Sequence, residues 1–160
     1  MSARPPDERP QPARPTPPLL FLFLDLPFGA AVGYAMIAMP YWLRAGGVSL
    51  AEVGAVSATA FAPHGLKLLW VPLLDLGQRR KVWYLAMATA TAALLVLASL
   101  VPDPVQNLWL YGALVTAAQA TATTGHAANN ALMALTTRAE DKGKAAGFSM
   151  SSRKAGVRGG

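Results

Sequence analysis

The chain has 160 residues, of which 53% are hydrophobic and only 14% are charged, well below the share of about 25% that is usual in soluble domains. It has no cysteine, which excludes disulfides and thiolate metal sites. The formal net charge is +6, but the basic residues lie between long apolar stretches, which is typical of membrane edges and not of a nucleic-acid interface.

Residues 1–18 hold seven of the 13 prolines, together with Arg4, Arg9 and Arg14. Such a composition cannot build a core, so we expect a disordered cytoplasmic tail. The apolar run that follows continues for about 25 residues without the small-residue cleavage site of a signal peptide. We therefore expect the first helix to remain in the mature protein.

Four apolar stretches follow the tail, over residues 19–43, 49–74, 82–101 and 108–135. Each is long enough to cross a bilayer, because a helix needs about 20 mostly apolar residues for a hydrocarbon core of about 30 Å. We predict an all-α polytopic membrane protein with four transmembrane helices and the start of a fifth. The fifth would begin near Gly143, which with Gly147 has the small-xxx-small spacing of closely packed membrane helices. The alternative for that segment is a flexible tail.

The number of Lys and Arg residues alternates between successive connections, or joints, of the predicted helices. The N-terminal tail and the joints after the second and fourth stretches each hold three, whereas the first joint holds only Arg44 and the third holds none. The positive-inside rule then predicts a multi-pass protein of the cell membrane, such as a bacterial inner membrane, with its N-terminus in the cytoplasm. Aromatic residues fall near the predicted helix ends, where such rings settle at headgroup level. They are Trp42, Trp70, Trp83 and Trp109, with Tyr41, Tyr84 and Tyr111 beside them.

Four ionisable residues lie inside the apolar stretches, namely Asp25, His64, Lys67 and His126. At about 1.5 Å per residue they fall about 4 to 9 Å on the cytoplasmic side of mid-membrane. An ionisable group at such a depth costs about 2.5–3.5 kcal/mol on insertion scales, so it tends to face the bundle interior or a wet cavity. The sequence therefore predicts one shared polar layer built from three helices.

His64 and Lys67 are three residues apart and project from one face of the second helix. Pro63 removes a backbone donor and crowds the carbonyl of Thr59, so we expect a kink or a loosened carbonyl there. We predict that Lys67 pairs with Asp25 or meets an anionic substrate group. The alternative is that Lys67 snorkels to the inner headgroups while His64 bonds a backbone carbonyl.

The fourth stretch carries a polar stripe on one face. Gln119, Thr123, His126 and Asn130 recur at spacings of four, three and four, which places them within about 60° of arc, and Asn129 widens the stripe. We interpret it as a water-lined pathway for a substrate or ion; the alternative is hydrogen bonding between helices. The third stretch offers only threonines and one serine among apolar residues, as suits a lipid-facing rim.

The first stretch contains two further signals. Gly29 and Gly33 have the small-xxx-small spacing that favours a tight helix contact. Asp25, followed by Pro27, predicts either an early break in the first helix or an aspartate that caps helical backbone.

The segment APHGLKLLWVPLLD, residues 62–75, and the basic joint GQRRK after it resemble the N-terminal part of a major facilitator superfamily transporter. The nearest branch is that of muropeptide permeases and acetyl-coenzyme A transporters, and the likeness covers residues 19–160. In the cytoplasmic loop motif of the superfamily, Asp75, Arg79 and Arg80 fit. The departures are Val71, Leu76 and Gln78. The fourth helix of that branch carries a Q-D-x-x-x-D pattern, whereas Gly125, His126 and Asn130 stand at those places here, which leaves His126 as the titratable replacement.

The resemblance implies a fold of two six-helix halves that rock around a midplane site. On that basis we expect a secondary-active transporter of a small solute, not an enzyme, without a cofactor or metal, and a truncated or partial chain. Its partners would be the lipid bilayer, the solute with a coupling proton, and the missing transporter helices, but not nucleic acid. The alternative is a small four-helix membrane assembly or interaction protein without transport activity. A membrane enzyme using His64 and His126 is disfavoured, because no close carboxylate pair, metal-spaced histidines or nucleophile elbow occurs.

Overall fold

The computed structural model of the chain describes residues 17, 19–70, 80–137, 143–144, 146–147 and 150–151. Across these residues the regular structure is entirely helical, which confirms the all-α class for this part of the chain. The elements are α1 (Leu20–Leu24), α2 (Leu26–Gly33), a π-helical turn (Tyr34–Ala38), α3 (Met39–Ala45), α4 (Leu50–Trp70), α5 (Arg80–Ser99) and α6 (Leu108–Thr136).

The first apolar stretch is not one regular helix, because prolines interrupt it twice. Asp25 ends α1 and precedes α2, and Pro27 occupies the first turn of α2. Further along, the π-helical turn ends two residues before Pro40. Proline lacks the backbone N–H of a helix and crowds the carbonyl four residues earlier, and a wider turn is one way to accommodate that.

The π-helical turn also keeps one face of the first stretch in the core. Ala31, Ala35, Met39 and Leu43 are all fully buried, at a constant spacing of four residues. In a regular α-helix each step of four overshoots one turn by about 40°, so the buried face would drift around the helix. The wider turn takes up part of that drift.

Helix α6 is the central helix of the described bundle, since it packs along α5 and α4 and also contacts α1 and α2. Small residues allow its close contacts. A Cβ added at Gly125 would lie 3.2 Å from Cβ of Met87 on α5, and one added at Gly112 would lie 3.3 Å from a methyl group of Val56 on α4. The polar stripe of α6 is therefore enclosed by neighbouring helices.

The connection from α3 to α4 is built from local hydrogen bonds. Ser49 and Glu52 form a capping box, in which the backbone N–H of Ser49 donates to the Glu52 carboxylate (3.1 Å) and that of Glu52 donates to Ser49 Oγ (3.3 Å). Arg44 donates from Nη1 to the carbonyl of Val48 (2.7 Å). The same connection abuts the loop between α5 and α6, because a Cβ added at Gly46 would collide with a methyl group of Val105.

Two helical segments among the described residues are long and apolar enough to cross a membrane, Leu26–Ala45 and Arg80–Ser99. They correspond to the first and third predicted spans. Helices α4 and α6 have 21 and 29 residues, so length does not separate them from the other two. Among the described residues, the second and fourth predicted spans are not among the segments that meet this criterion.

Several predictions concern residues outside the described part of the chain. They are the tail over residues 1–16 and 18, and Asp75 and Arg79 of the loop motif, which fall within residues 71–79. Arg80, the third motif residue, begins α5. Beyond residue 137 the described residues are all helical, as a fifth helix requires, but a Cβ added at Gly143 or Gly147 would meet nothing within 4 Å.

Candidate functional site

The ionisable residues of the first and fourth predicted spans meet on one side of α6. We define the polar seam as Asp25, His64, Gln119, Thr123, His126, Asn129 and Asn130, which line the space where α6 faces α1, α2 and α4. Six of these seven are predicted site residues, and Asn129 is the addition.

Asp25 anchors the seam. Its side chain is fully buried, and its Oδ1 accepts hydrogen bonds from Nδ1 of His126 (2.8 Å) and Nδ2 of Asn129 (2.9 Å). It makes no side-chain hydrogen bond as a helix cap, although it occupies the N-cap position of α2. The helix break predicted at this point therefore serves to aim a carboxylate at α6, and the capping alternative does not hold.

The hydrogen bonds around His126 define its tautomer. Nδ2 of Asn130 lies 3.0 Å from Nε2 of His126. An amide nitrogen can only donate, so Nε2 accepts and carries no proton, while Nδ1 carries the proton and donates to Asp25. Both ring nitrogens of His126 are thus engaged in hydrogen bonds. Its side chain is 11% exposed.

Aromatic rings pack against both histidines. Phe28 stacks on His126 with ring centroids 4.3 Å apart and planes inclined by 14°. The same ring lies 5.9 Å from His64, which also contacts Phe61 at 5.3 Å. The face of a phenyl ring attracts a cation, so this stacking would also accommodate a charged imidazolium at position 126.

His64 and Lys67 have different surroundings in the structure. Nε2 of His64 lies 3.3 Å from Oγ1 of Thr123 on α6, and the ring also interacts with the backbone of Phe61, so this histidine contacts both another helix and its own helix backbone. Lys67 is half-buried one turn further along α4. No ion pair between Lys67 and Asp25 occurs among the described residues.

Gln119 joins α6 to the first apolar stretch. Its Nε2 donates to the backbone carbonyl of Ala31, next to the π-helical turn. This bond and the contact of Thr123 with His64 are hydrogen bonds between helices, as the alternative reading of the stripe requires. The remaining stripe residues, His126 and Asn130, instead belong to the group around Asp25.

Three buried polar atoms of the polar seam have no hydrogen-bond partner among the described residues. They are Nδ1 of His64, Oε1 of Gln119 and Oδ1 of Asn129. Buried polar groups are almost always paired with protein, water or a ligand. The polar seam could therefore form further hydrogen bonds with a polar ligand. The three atoms lie at different heights along the bundle.

Sequence reasoning missed three contributors to the interior. Tyr84 and Tyr111, which the sequence predicts near helix ends, turn into the bundle and are buried. Tyr84 donates to the carbonyl of Leu24 (2.7 Å), and the hydroxyl of Tyr111 lies 2.9 Å from that of Tyr34. The third is Phe28, which no pattern marks, since one apolar residue in an apolar stretch carries no signal.

No family model matches the chain, and no solved structure matches it. Among curated proteins the chain is similar to an uncharacterized protein of Haemophilus influenzae, with 41% identity over 76 residues. That match covers 44% of this chain and 17% of the relative, so the chain spans less than a fifth of the relative's length. A stretch of 76 residues that makes up only 17% of a protein belongs to one more than twice as long as this chain.

Proposed function

We propose that this chain contributes its helices to a secondary-active membrane transporter of the major facilitator type, and that the polar seam lines the path of a small solute. The proposal includes four membrane crossings with the N-terminus in the cytoplasm. The observation that carries it is the combination of a buried carboxylate–imidazole pair inside the bundle with an apolar outer surface.

The outer surface of α5 suits contact with lipid. Its buried residues are Tyr84, Thr91 and Ala98, each seven residues from the next, so a single narrow face meets the bundle. Only 17% of its apolar window is buried, whereas the core helix of a soluble protein is mostly buried. Large apolar side chains such as Val96 and Leu97 are instead more than half exposed. An apolar surface of this extent favours a membrane over water.

Tryptophans at the helix ends support the same placement. Trp42 at the end of α3 is 62% exposed, and Trp109 at the start of α6 is 89% exposed. Amphipathic rings favour the interface between lipid and water. Both residues lie at the end of the bundle that carries few basic residues, which the positive-inside rule assigns to the exterior.

The polar seam supports a path for a solute, and not only hydrogen bonds that hold the helices together. Charged groups within membrane helices are expensive and mark substrate or ion pathways. Asn130 is exposed at one end of the seam, and the unpartnered Oε1 of Gln119 lies toward the other. A passage along this face would offer a solute hydrogen-bonding groups at several depths. The greater length of the Haemophilus influenzae relative is compatible with a protein of two helical halves.

Cysteine accessibility tests the proposal without background modification of native cysteines, because the chain has no cysteine of its own. We expect a small water-soluble thiol reagent to modify Asn130→Cys and Thr123→Cys in membranes, since the proposed path would carry water to both positions, including Thr123, which is buried in this structure. Leu97→Cys is the matched control, since it is exposed on α5 but would face lipid. It should stay unmodified.

Two outcomes would contradict the proposal. Rapid modification of Leu97→Cys would mean that α5 faces water. Failure of both seam positions to react under any condition would remove the path and favour the non-transporting assembly protein. Uptake of candidate peptides, siderophores and acyl-nucleotides by vesicles, with and without a pH gradient, then examines transport itself.

A further inference from the structure

We propose that the solute of the polar seam is a cationic amine, whose ammonium group donates hydrogen bonds to the side-chain oxygens of Gln119 and Asn129. The inference rests on the proposed function, because it names the chemical class of the solute that the seam accepts. Two buried amides, whose orientation is fixed by their neighbours, carry it.

The orientation of the Gln119 amide follows from its partner. Its Nε2 donates to the backbone carbonyl of Ala31, and only the nitrogen of an amide can do so. Turning the amide over would place two oxygens against each other. Oε1 is therefore an acceptor, and it has no partner among the described residues although the side chain is fully buried.

The same reasoning applies to Asn129. Its Nδ2 donates to the Asp25 carboxylate (2.9 Å), so Oδ1 must be the atom that points away from Asp25. The side chain is 1% exposed, and Oδ1 also has no partner within the described part of the chain. Both amides thus offer a buried oxygen and hold their nitrogens engaged.

Two unpartnered acceptors favour a ligand that donates. An ammonium group has three N–H donors and no acceptor, whereas a carboxylate can only accept and would meet another oxygen. The amides are ten residues apart on α6, which is about 15 Å of rise. One ammonium group would therefore meet them in turn, at two depths of the seam.

The charges along the seam favour a cation at the deeper of these positions. The Asp25 carboxylate adjoins the Asn129 amide, and an anionic group attracts an ammonium over several ångströms. The face of the Phe28 ring, which lies in the same layer against His126, also attracts cations. Lys67 on α4 would oppose this, but no ion pair between Lys67 and Asp25 occurs among the described residues.

Cadaverine and pimelate test the class of solute, because they carry an ammonium or a carboxylate group at each end of the same five-carbon chain. Thermal unfolding of the full chain in nanodiscs of zwitterionic lipid reports binding, since a ligand that binds the folded state raises the midpoint temperature. We expect cadaverine to raise the midpoint as its concentration increases, and pimelate to leave it unchanged. An equal or larger rise with pimelate would overturn the inference. No rise with either probe would mean that water occupies the two oxygens, and would overturn it as well.

Gln119→Leu locates the effect in the polar seam. The carbonyl of Ala31 keeps the backbone N–H of Tyr34 as a donor, so the fold should tolerate the change. A hydrogen bond to a charged group is among the stronger ones, so the concentration of cadaverine that gives half of its effect should rise by about tenfold or more. Gln106→Leu, the same change at an exposed position, is the matched control and should leave that concentration unchanged. An equal effect of both substitutions would place the amine outside the seam.

The two proposals fail in different experiments. If cadaverine binds with the expected dependence on Gln119 but vesicles take up no solute, the amine site stands and the transport function fails. If vesicles take up pimelate and not cadaverine, transport stands and the class of solute proposed here is wrong.

Discussion

Asp25 shows at the scale of one residue how a carboxylate is kept within a bundle of apolar helices. It is fully buried, yet a single oxygen accepts two hydrogen bonds from α6. A buried donor that loses its acceptor costs about 1–3 kcal/mol. Together with the bond from Gln119 to Ala31, this side chain therefore stabilises the contact between the first apolar stretch and α6.

Asp25→Ala should lower the free energy of unfolding by about 1–3 kcal/mol for each of the two donors left without an acceptor. Asp25→Asn keeps an oxygen at the same place and should cost less. Thermal unfolding of the full chain in detergent measures both effects. Asp103→Asn, a change of charge in the exposed loop before α6, is the control and should be nearly neutral. An Asp25→Ala variant as stable as the unmodified chain would contradict this account.

The sequence allowed Asp25 and His126 to be identified because an ionisable residue in an apolar stretch stands out. It did not separate Asn129 from Asn130. The two residues are about 100° apart around α6, and which of them reaches Asp25 depends on where the first helix breaks. The partner of Lys67 depends similarly on the distance between helices, which no spacing along one helix reveals.

At the scale of the element, the contact of α5 with α6 depends on a glycine. A Cβ at Gly125 would lie 3.2 Å from Cβ of Met87. A hydroxyl pair nearby, Thr91 with Thr121 at 2.9 Å, bridges the same two helices. The close approach fixes the rotation of α6 and thus keeps His126 turned toward Asp25.

Gly125→Val should destabilise the chain by about 1–3 kcal/mol, because the added methyl groups force α5 and α6 apart. Gly65→Ala on α4 is the control. A Cβ at Gly65 meets nothing within 4 Å, and alanine has the higher helix propensity, so stability should hold or rise by up to about 1 kcal/mol. Unfolding in detergent compares the two. If the double variant Gly125→Val with Met87→Gly is no more stable than the sum of the two single effects predicts, the steric explanation is wrong.

The helical elements themselves follow closely from hydrophobic length. The predicted stretch 108–135 compares with Leu108–Thr136, and 82–101 compares with Arg80–Ser99. The π-helical turn before Pro40 was not predicted. A proline in an apolar stretch indicates that the helix must adapt. A kink, a break and a widened turn can each accommodate the loss of its backbone N–H. The packing of Ala35 and Met39 selects among them, and packing is not local in sequence.

For the whole molecule, the proposed orientation in the membrane rests on the distribution of basic residues. The connection between α5 and α6 holds no lysine or arginine, whereas the residues at the start of α5 are strongly basic. The positive-inside rule places these two ends on opposite sides of the bilayer.

A membrane-impermeant maleimide applied to intact bacterial cells should label Gln106→Cys and leave Lys81→Cys unlabelled. Both positions are exposed, so permeabilised cells should show labelling at both, which serves as the control for reactivity. Labelling of Lys81→Cys in intact cells would reverse the orientation. Labelling of neither position after permeabilisation would indicate that these ends are covered.

The close fit of Gly46 against Val105 has a practical consequence. The link that follows α3 and the link that precedes α6 touch each other, so the ends of α3 and α5 that carry these links must move together. An epitope or fluorescent reporter inserted into either link would push the other aside. Any reporter of motion placed in one of these loops would therefore record the displacement of both loops together.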